Sequence, residues 1–350
     1  MAPAVSILIP VYNTAKYLDR ALDSLFRQTC GDLEVIVIDD ASPDNLNEML
    51  APRLAREKRL KAVHHTENRG TAAARRSGLN AAEGEYIICL DADDTLDPDA
   101  VRSLLKTARE TDADIVGFGG RDLNPDGTQD THGGTADAAP FRLEGRRIFD
   151  AVFRAHAFSW SLCLKMIRRE LFLKAAAELP DHYCIFAEDF MYFSLIAFFA
   201  QKIITTGEIF YNYYQEVGIT GSGTVTEAAF ERSASMLNAL KNVRAFLERH
   251  DLLGSYGNAF RLREKEQLRM LWKKREHMNP EDKETALEYA KKNYDAARIE
   301  ELFAEYAREQ APAEKSALKK LFRTESLPWK ILKKIQGAVK FRKSRIFYDC

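Results

Sequence analysis

Four apolar runs recur through the first ninety residues, VSILIPV (5–11), LEVIVID (33–39), RLKAVHH (59–65) and YIICL (86–90), with helix-length segments between them. Runs this continuous leave no polar face for water, so each strand needs cover on both sides. Strands that alternate with helices then predict an α/β fold around a mostly parallel sheet. Helical spacing over 14–28 (Tyr17, Leu18, Ala21, Leu22, Leu25), a helix opening near Ser42-Pro43-Asp44, an alanine-rich stretch at about 71–82 and a helix from Pro98 to about 110 fill the gaps. DIVGFGG (114–120) supplies another strand, and the NPDG and HGG stretches make 121–143 a polar loop or hairpin. Short strands mixed with helices follow, at about 145–155, 168–178 and 188–200. The last of these is apolar all round after its first residues and is predicted to be buried. From about 226 to 310 the chain reads as charged, amphipathic helix. The predicted division is an α/β unit over 1–225, split near 118, a helical region over 226–312 and a tail over 313–350.

Charge separates these parts. The formal net charge is −1, but residues 315–345 carry eleven Lys/Arg against Glu325 alone, so a basic tail of +10 follows an acidic body of −11. Five scattered cysteines, at 30, 89, 163, 184 and 350, include no C-x-x-C pair, which favours a reducing compartment over a disulfide framework or a zinc site. The start has no basic segment ahead of its short apolar run, and 190–200 falls short of the roughly 20 residues that span a bilayer. The sequence therefore reads as cytoplasmic.

In an open α/β sheet, ligands bind beyond the carboxyl ends of the strands. Here those ends are Pro10-Val11-Tyr12-Asn13, Asp39-Asp40-Ala41-Ser42, Glu67-Asn68-Arg69-Gly70 and Asp91-Ala92-Asp93-Asp94, all polar and turn-prone. Carboxylates crowded at the mouth of an apolar strand repel one another unless a positive partner offsets them. Asp91 and Asp93, two apart, are hard oxygen ligands suited to Mg²⁺ or Mn²⁺ shared with a diphosphate. The plainer alternative is a solvated acidic loop, and Asp97, before Pro98, is predicted to be the N-cap of the next helix. Arg75, near a helix start, can pair with phosphate through its guanidinium fork or form a surface salt bridge. Glu188-Asp189 can supply a general base or complement a helix dipole.

VSILIPVYN, VIVIDDAS, ENRGTAAARRSG and DADD, in this order and near these spacings, resemble the family 2 glycosyltransferases of GT-A fold. The likeness is strong over about 4–118 and continues weakly through WSLCLKMIRRELF (160–172), AEDF (187–190) and YNYYQEVGITGS (211–222). It implies a nucleotide-sugar-binding half over 1–118 and an acceptor-binding half over 119–225. Pro10, Tyr12, Asn13, Asp39 and Asp40 would then surround the donor, with Asp39 accepting a hydrogen bond from the base. Asn68, Arg69, Gly70 and Arg75 would close over base and phosphates. Asp93 would hold Mn²⁺ or Mg²⁺ on the diphosphate, with Asp91 at the ribose or a metal-bound water. Asp189 would be the base, supported by Glu188. The likeness further implies an inverting transfer from a nucleotide-diphosphate sugar, a UDP-sugar above all, to a glycan or lipid-linked acceptor in surface-polysaccharide synthesis. Three positions depart from the family pattern: Leu164 replaces the usual Asn beside Lys165, Ala187 replaces Gly before Glu188, and the segment near Tyr214 and Gln215 lacks the usual Arg.

The tail has its own pattern. From Pro328, Ile331, Leu332, Ile335, Ala338 and Val339 share one helix face and Lys330, Lys333, Lys334 and Lys340 the other, with Trp329 at the boundary. Such a helix suits an anionic membrane surface, at the inner face of the plasma membrane, or the acidic body of its own chain. It lacks the interleaved aromatics of a nucleic-acid binder. Two rival functions were weighed. Asp91-x-Asp93-x-Thr95 also fits a haloacid dehalogenase-like phosphatase with Asp91 as nucleophile, although that motif normally follows a fold's first strand. The other rival is a transferase-like module that binds without turnover.

Overall fold

The four apolar runs are strands Val5–Val11 (β1), Leu33–Asp39 (β2), Leu60–His64 (β3) and Tyr86–Cys89 (β4) of one sheet, in a computed structural model that describes residues 2–129, 135–136, 140–155, 157–215 and 224–310. β1 pairs in parallel with β2 from Val5↔Leu33 to Val11↔Asp39, and on its other side with β4. β2 pairs in parallel with β3. The order β3-β2-β1-β4 places the reversal of chain progression beside β1, which opens a crevice at the carboxyl ends of these strands. Ile7, Leu8, Val35, Ile36 and Ile88 are fully buried, as strands covered on both faces require.

The cover comes from helices Ala15–Phe26 (α1), Leu46–Arg56 (α2), Thr71–Ala81 (α3) and Ala100–Thr111 (α4). α1 buries Ala15, Leu18, Ala21, Leu22 and Leu25, the predicted stripe except for Tyr17. α3 lies close on the sheet because Gly78 has no side chain; a Cβ there would meet Ile38 Cδ1 at 2.7 Å. The helix expected to open near Ser42-Pro43-Asp44 is α2, which begins at Leu46. Asp44 accepts a hydrogen bond from Ala15 N (2.9 Å) and so anchors α1.

The remaining strands are Thr95–Leu96 (β5), Ile115–Leu123 (β6), Thr135–Ala136 (β7), Phe141–Glu144 (β8), Lys165–Arg168 (β9) and Lys202–Tyr214 (β10). The sheet continues β4-β9-β6-β10-β5. β9 runs antiparallel to both of its neighbours, whereas β10 runs parallel to β6. The longer ladders are parallel, and the antiparallel pairings cover two to four residues each. β10 escapes detection as one strand because its register slips between Thr205 and Ile209, where Gly207 adopts φ +77°.

Helices Arg146–Phe149 (α5) and Arg169–Ala177 (α6) lead to Glu188–Phe199 (α7), whose residues from Phe190 to Ala197 are all buried, as its composition predicts. Helices Glu227–Ala234 (α8), Met236–Arg249 (α9), Leu253–Glu276 (α10), Asp282–Asn293 (α11) and Ala296–Gln310 (α12) make up the helical region. It docks directly behind α7: Ser235 Oγ accepts from Ile185 N and Phe186 N, and Phe246 packs edge-on against Phe198 at 5.2 Å. Among the described residues, no helix is long and apolar enough to cross a membrane. The basic tail and most of the 214–224 loop lie outside the described residues.

Candidate active site

The ends of β1 and β2 and the loop before α3 bring the sequence-predicted residues to one rim. Tyr12 is 49% exposed, a ring with one face open to solvent at the crevice mouth. Pro10 is the one partly buried residue of β1, and Asn13 takes a left-handed conformation (φ +57°) with its N–H on Ser42 Oγ (2.6 Å). Asp39 is buried; its Oδ1 accepts from Ser42 N (2.8 Å) and its Oδ2 lies 3.2 Å from His64 Nδ1. Asp40 turns away from the crevice. Its carboxylate accepts from Arg69 N and Gly70 N, both at 2.8 Å, and faces His65 Nδ1 at 2.6 Å. It therefore shapes the Asn68-Arg69-Gly70 loop from beneath. Arg69 itself pairs with Asp181.

Arg75 departs most from the sequence reading. It lies in the second turn of α3 but points inward and is 3% exposed. Its Nη1 donates to Asp189 Oδ1 (2.6 Å) and Glu188 Oε1 (3.0 Å), and its Nη2 lies 3.6 Å from Asp91 Oδ1. The positive partner of the carboxylates is thus, in part, a residue of the chain itself. A guanidinium committed to three carboxylates has little fork left for a ligand. Burial raises Glu188 above the ordinary carboxylate range, and neighbouring Asp189 adds to that shift, against the pull of Arg75. Asp91 is likewise raised, by desolvation first. Asp189 Oδ2 also accepts from Leu162 N (3.3 Å), so both of its oxygens are oriented.

Asp93 and Asp94 adjoin each other with different tasks. Arg20, from α1, holds the Asp93 carbonyl at 2.7 Å while its guanidinium lies 3.5 Å over the Tyr214 ring. Burial, then the charge of Asp91, push the Asp93 carboxyl up to about 6. Asp94 is fully buried and meets Tyr211 Oη (2.5 Å) and Tyr214 N (2.9 Å) of β10. Desolvation, with Asp93 and Asp91 beside it, raises Asp94 well above the ordinary range. Asp97 is not a helix cap. Arg121 Nη2 donates to both of its oxygens (2.5 and 2.7 Å) and Asn212 Nδ2 to one (2.9 Å), and α4 follows Asp99 with no side-chain cap. Sequence reasoning missed these β10 and β6 supports because they lie 24 to 120 residues from the groups they hold.

Lys165 is buried, and its Nζ donates to the carbonyls of Ser159 (2.8 Å) and Ser161 (2.6 Å) over the Phe193 ring. It braces the segment that presents Leu162 N to Asp189. Ala187, at the departure from the family's Gly, sits at φ +61°, the left-handed N-cap of α7. Chemically, the arrangement joins an acidic strand end, an oriented carboxylate and an exposed aromatic ring on one crevice. Among the described residues no group of three His, Cys, Asp or Glu side chains is placed to enclose a metal ion.

Comparison with known proteins bears on the family and the fold. Residues 6–174 match the model of glycosyl transferase family 2. The chain is 33% identical over 197 residues to the uncharacterized glycosyltransferase EpsJ of Bacillus subtilis, covering 54% of each protein, so it spans about half of that relative. It is 39% identical over 127 residues to the chondroitin synthase of Pasteurella multocida, covering 36% of this chain and 13% of that protein. Its fold matches that of S. aureus TarS 1–349, a crystal structure in complex with UDP-GlcNAc, with a TM-score of 0.52 and 20% identity. That match covers 89% of this chain and 93% of the other.

Proposed function

Residues 6–174 form a family 2 glycosyl transferase domain, and on that footing we propose that the chain transfers a sugar, with inversion, from a nucleotide-diphosphate donor to a hydroxyl of a glycan or lipid-linked acceptor. The observation that carries this reading is the reach of one guanidinium: Arg75 touches both Asp91, at the strand end, and Asp189, on α7. Donor and acceptor chemistry thereby meet within one side chain's span. UDP-sugars are the favoured donors, since the fold neighbour was crystallised with UDP-GlcNAc. Polysaccharide assembly is the favoured setting, since a related protein is a chondroitin synthase.

In this account Tyr12, Pro10, Asn13 and Asp39 receive the base, and Asn68-Arg69-Gly70 closes over it. Asp93 and Asp91 would hold Mn²⁺ or Mg²⁺, which when bound supplies positive charge to the leaving diphosphate. Two observations fit that ion: the ligands are hard oxygens, and the Asp93 carboxyl is raised by burial and by Asp91, a cost that a cation would relieve. Asp189, oriented by Arg75 and Leu162 N, takes the proton of the acceptor hydroxyl as its oxygen attacks the anomeric carbon. Glu188 is raised by burial and supports the site without competing as a base. The domain roles follow: 1–118 for the donor, 119–225 for the acceptor, 226–312 as a helical buttress. The basic 313–350 tail would dock on an anionic membrane surface or on the acidic body of its own chain.

A calorimetric panel of nucleoside diphosphates, with and without Mn²⁺, tests the reading on wild type and Asp93→Asn. Metal-dependent binding that is lost in the variant supports it. Binding to none of the panel overturns it.

A further inference from the structure

Beneath the Arg69-Gly70 turn the contacts of Asp40 continue through His65 to Ser77, two residues that none of the roles above uses. Ser77 Oγ, in the second turn of α3, lies 2.8 Å from His65 Nε2. His65 Nδ1, just after β3, lies 2.6 Å from Asp40 Oδ1, and Asp40 holds Arg69 N and Gly70 N. The side chains of His65 and Asp40 are each only 5% exposed. A carboxylate only accepts, so Nδ1 carries a proton, and Nε2 pairs with the Ser77 hydroxyl. The groups have the composition of a nucleophile relay, but the acidic end is committed to two backbone N–H groups and buried under the turn. That is the construction of an anchor.

The anchored turn needs one. Gly70 sits at φ +83°, and a Cβ there would meet Ile185 Cγ2 at 2.9 Å and Cys184 backbone atoms at 3.1 Å. The turn is thus pressed against the segment that leads into Glu188-Asp189. Two further bonds seal the contact, Ala72 N to Cys184 O and Tyr192 Oη to Ala72 O, both at 3.0 Å.

We propose that His65 is a positioning residue for donor binding: by tying Ser77 to Asp40 it fixes the Arg69-Gly70 backbone in the shape that receives the nucleoside diphosphate. The inference rests on the donor-site reading of the crevice. Two isosteric substitutions separate its parts. Asn at position 65 places an amide nitrogen near Nδ1 and keeps a donor to Asp40. Gln places its amide near Nε2 and leaves Asp40 without that donor.

The test is calorimetric titration with UDP, GDP, CDP and dTDP in Mn²⁺, together with melting of each ligand-free variant. For the tightest binder of wild type, His65→Gln is expected to raise Kd about tenfold, a loss in the range of one charged hydrogen bond. His65→Asn, which keeps the donor to Asp40 and loses only Ser77, is expected to raise Kd about threefold. If His65→Gln does not fold, Ser77→Ala decides, with the rise in Kd of about threefold that loss of the same contact gives in His65→Asn. Wild-type binding with unchanged Kd in His65→Gln, or in Ser77→Ala where that variant decides, overturns this inference alone. Wild-type binding to no nucleotide overturns the donor-site reading and this inference with it.

Discussion

Arg75 and Asp189 are 114 residues apart in sequence, and their side chains meet at 2.6 Å inside the molecule. The same guanidinium serves Glu188 and Asp91, so its loss strands three carboxylates together. Removing one partner of a buried ion pair costs about 3–5 kcal/mol. Arg75→Met is expected to lose stability of that order in urea denaturation. Arg75→Lys, with a point charge in place of a fork, should fall between it and wild type.

Ala187 adopts a left-handed conformation (φ +61°) at the N-cap of α7. An L-residue with a Cβ pays about 1–2 kcal/mol there, partly offset in glycine by unfolded-state entropy. Ala187→Gly is therefore expected to stabilise the protein by about 0.5–1 kcal/mol, read as a higher denaturation midpoint at unchanged slope.

In metal-free buffer the Asp93 carboxyl, raised to about 6 from 3.8, sets a pH dependence. Between those values the folded chain keeps a proton that the unfolded chain has released. Stability therefore falls as pH rises through this window, by up to about 3 kcal/mol, and levels off above pH 6. Asp93→Asn should flatten that slope. An unchanged slope would show that other groups carry it.

Tyr211 donates to buried Asp94, whose carboxyl is raised well above its ordinary range by desolvation and by Asp93 and Asp91. Tyr211→Phe leaves one oxygen of Asp94 without this partner and is expected to cost about 1–3 kcal/mol. Asp94→Asn keeps the shape and removes a charge that burial disfavours, and it should cost less than Tyr211→Phe in the same denaturation series.

The first half of the sheet is legible in the sequence because its signals are local. Continuous apolar runs demand a covered sheet, and each run ends in a polar turn, so residues 10–13, 39–42, 68–70 and 91–94 had to share a rim. What stayed hidden is non-local. The partner of Arg75 arrives from α7, and the partners of Asp94 and Asp97 arrive from β6 and β10. Asp97 shows the failure in miniature. An Asp before Pro is a good local cap, but a two-oxygen contact with Arg121 outcompetes that use. The change from the family's Gly at Ala187 was visible in the sequence, whereas its backbone strain needed the coordinates.

The central claim is that one crevice holds the donor and that Asp189 acts on the acceptor. Its most direct measurement compares wild type with Asp189→Asn for binding of a UDP-sugar in Mn²⁺ and for release of UDP from it. The account expects the variant to bind the donor within about threefold of wild type while UDP release falls by about 10²–10⁴. UDP release by Asp189→Asn at the wild-type rate would contradict it.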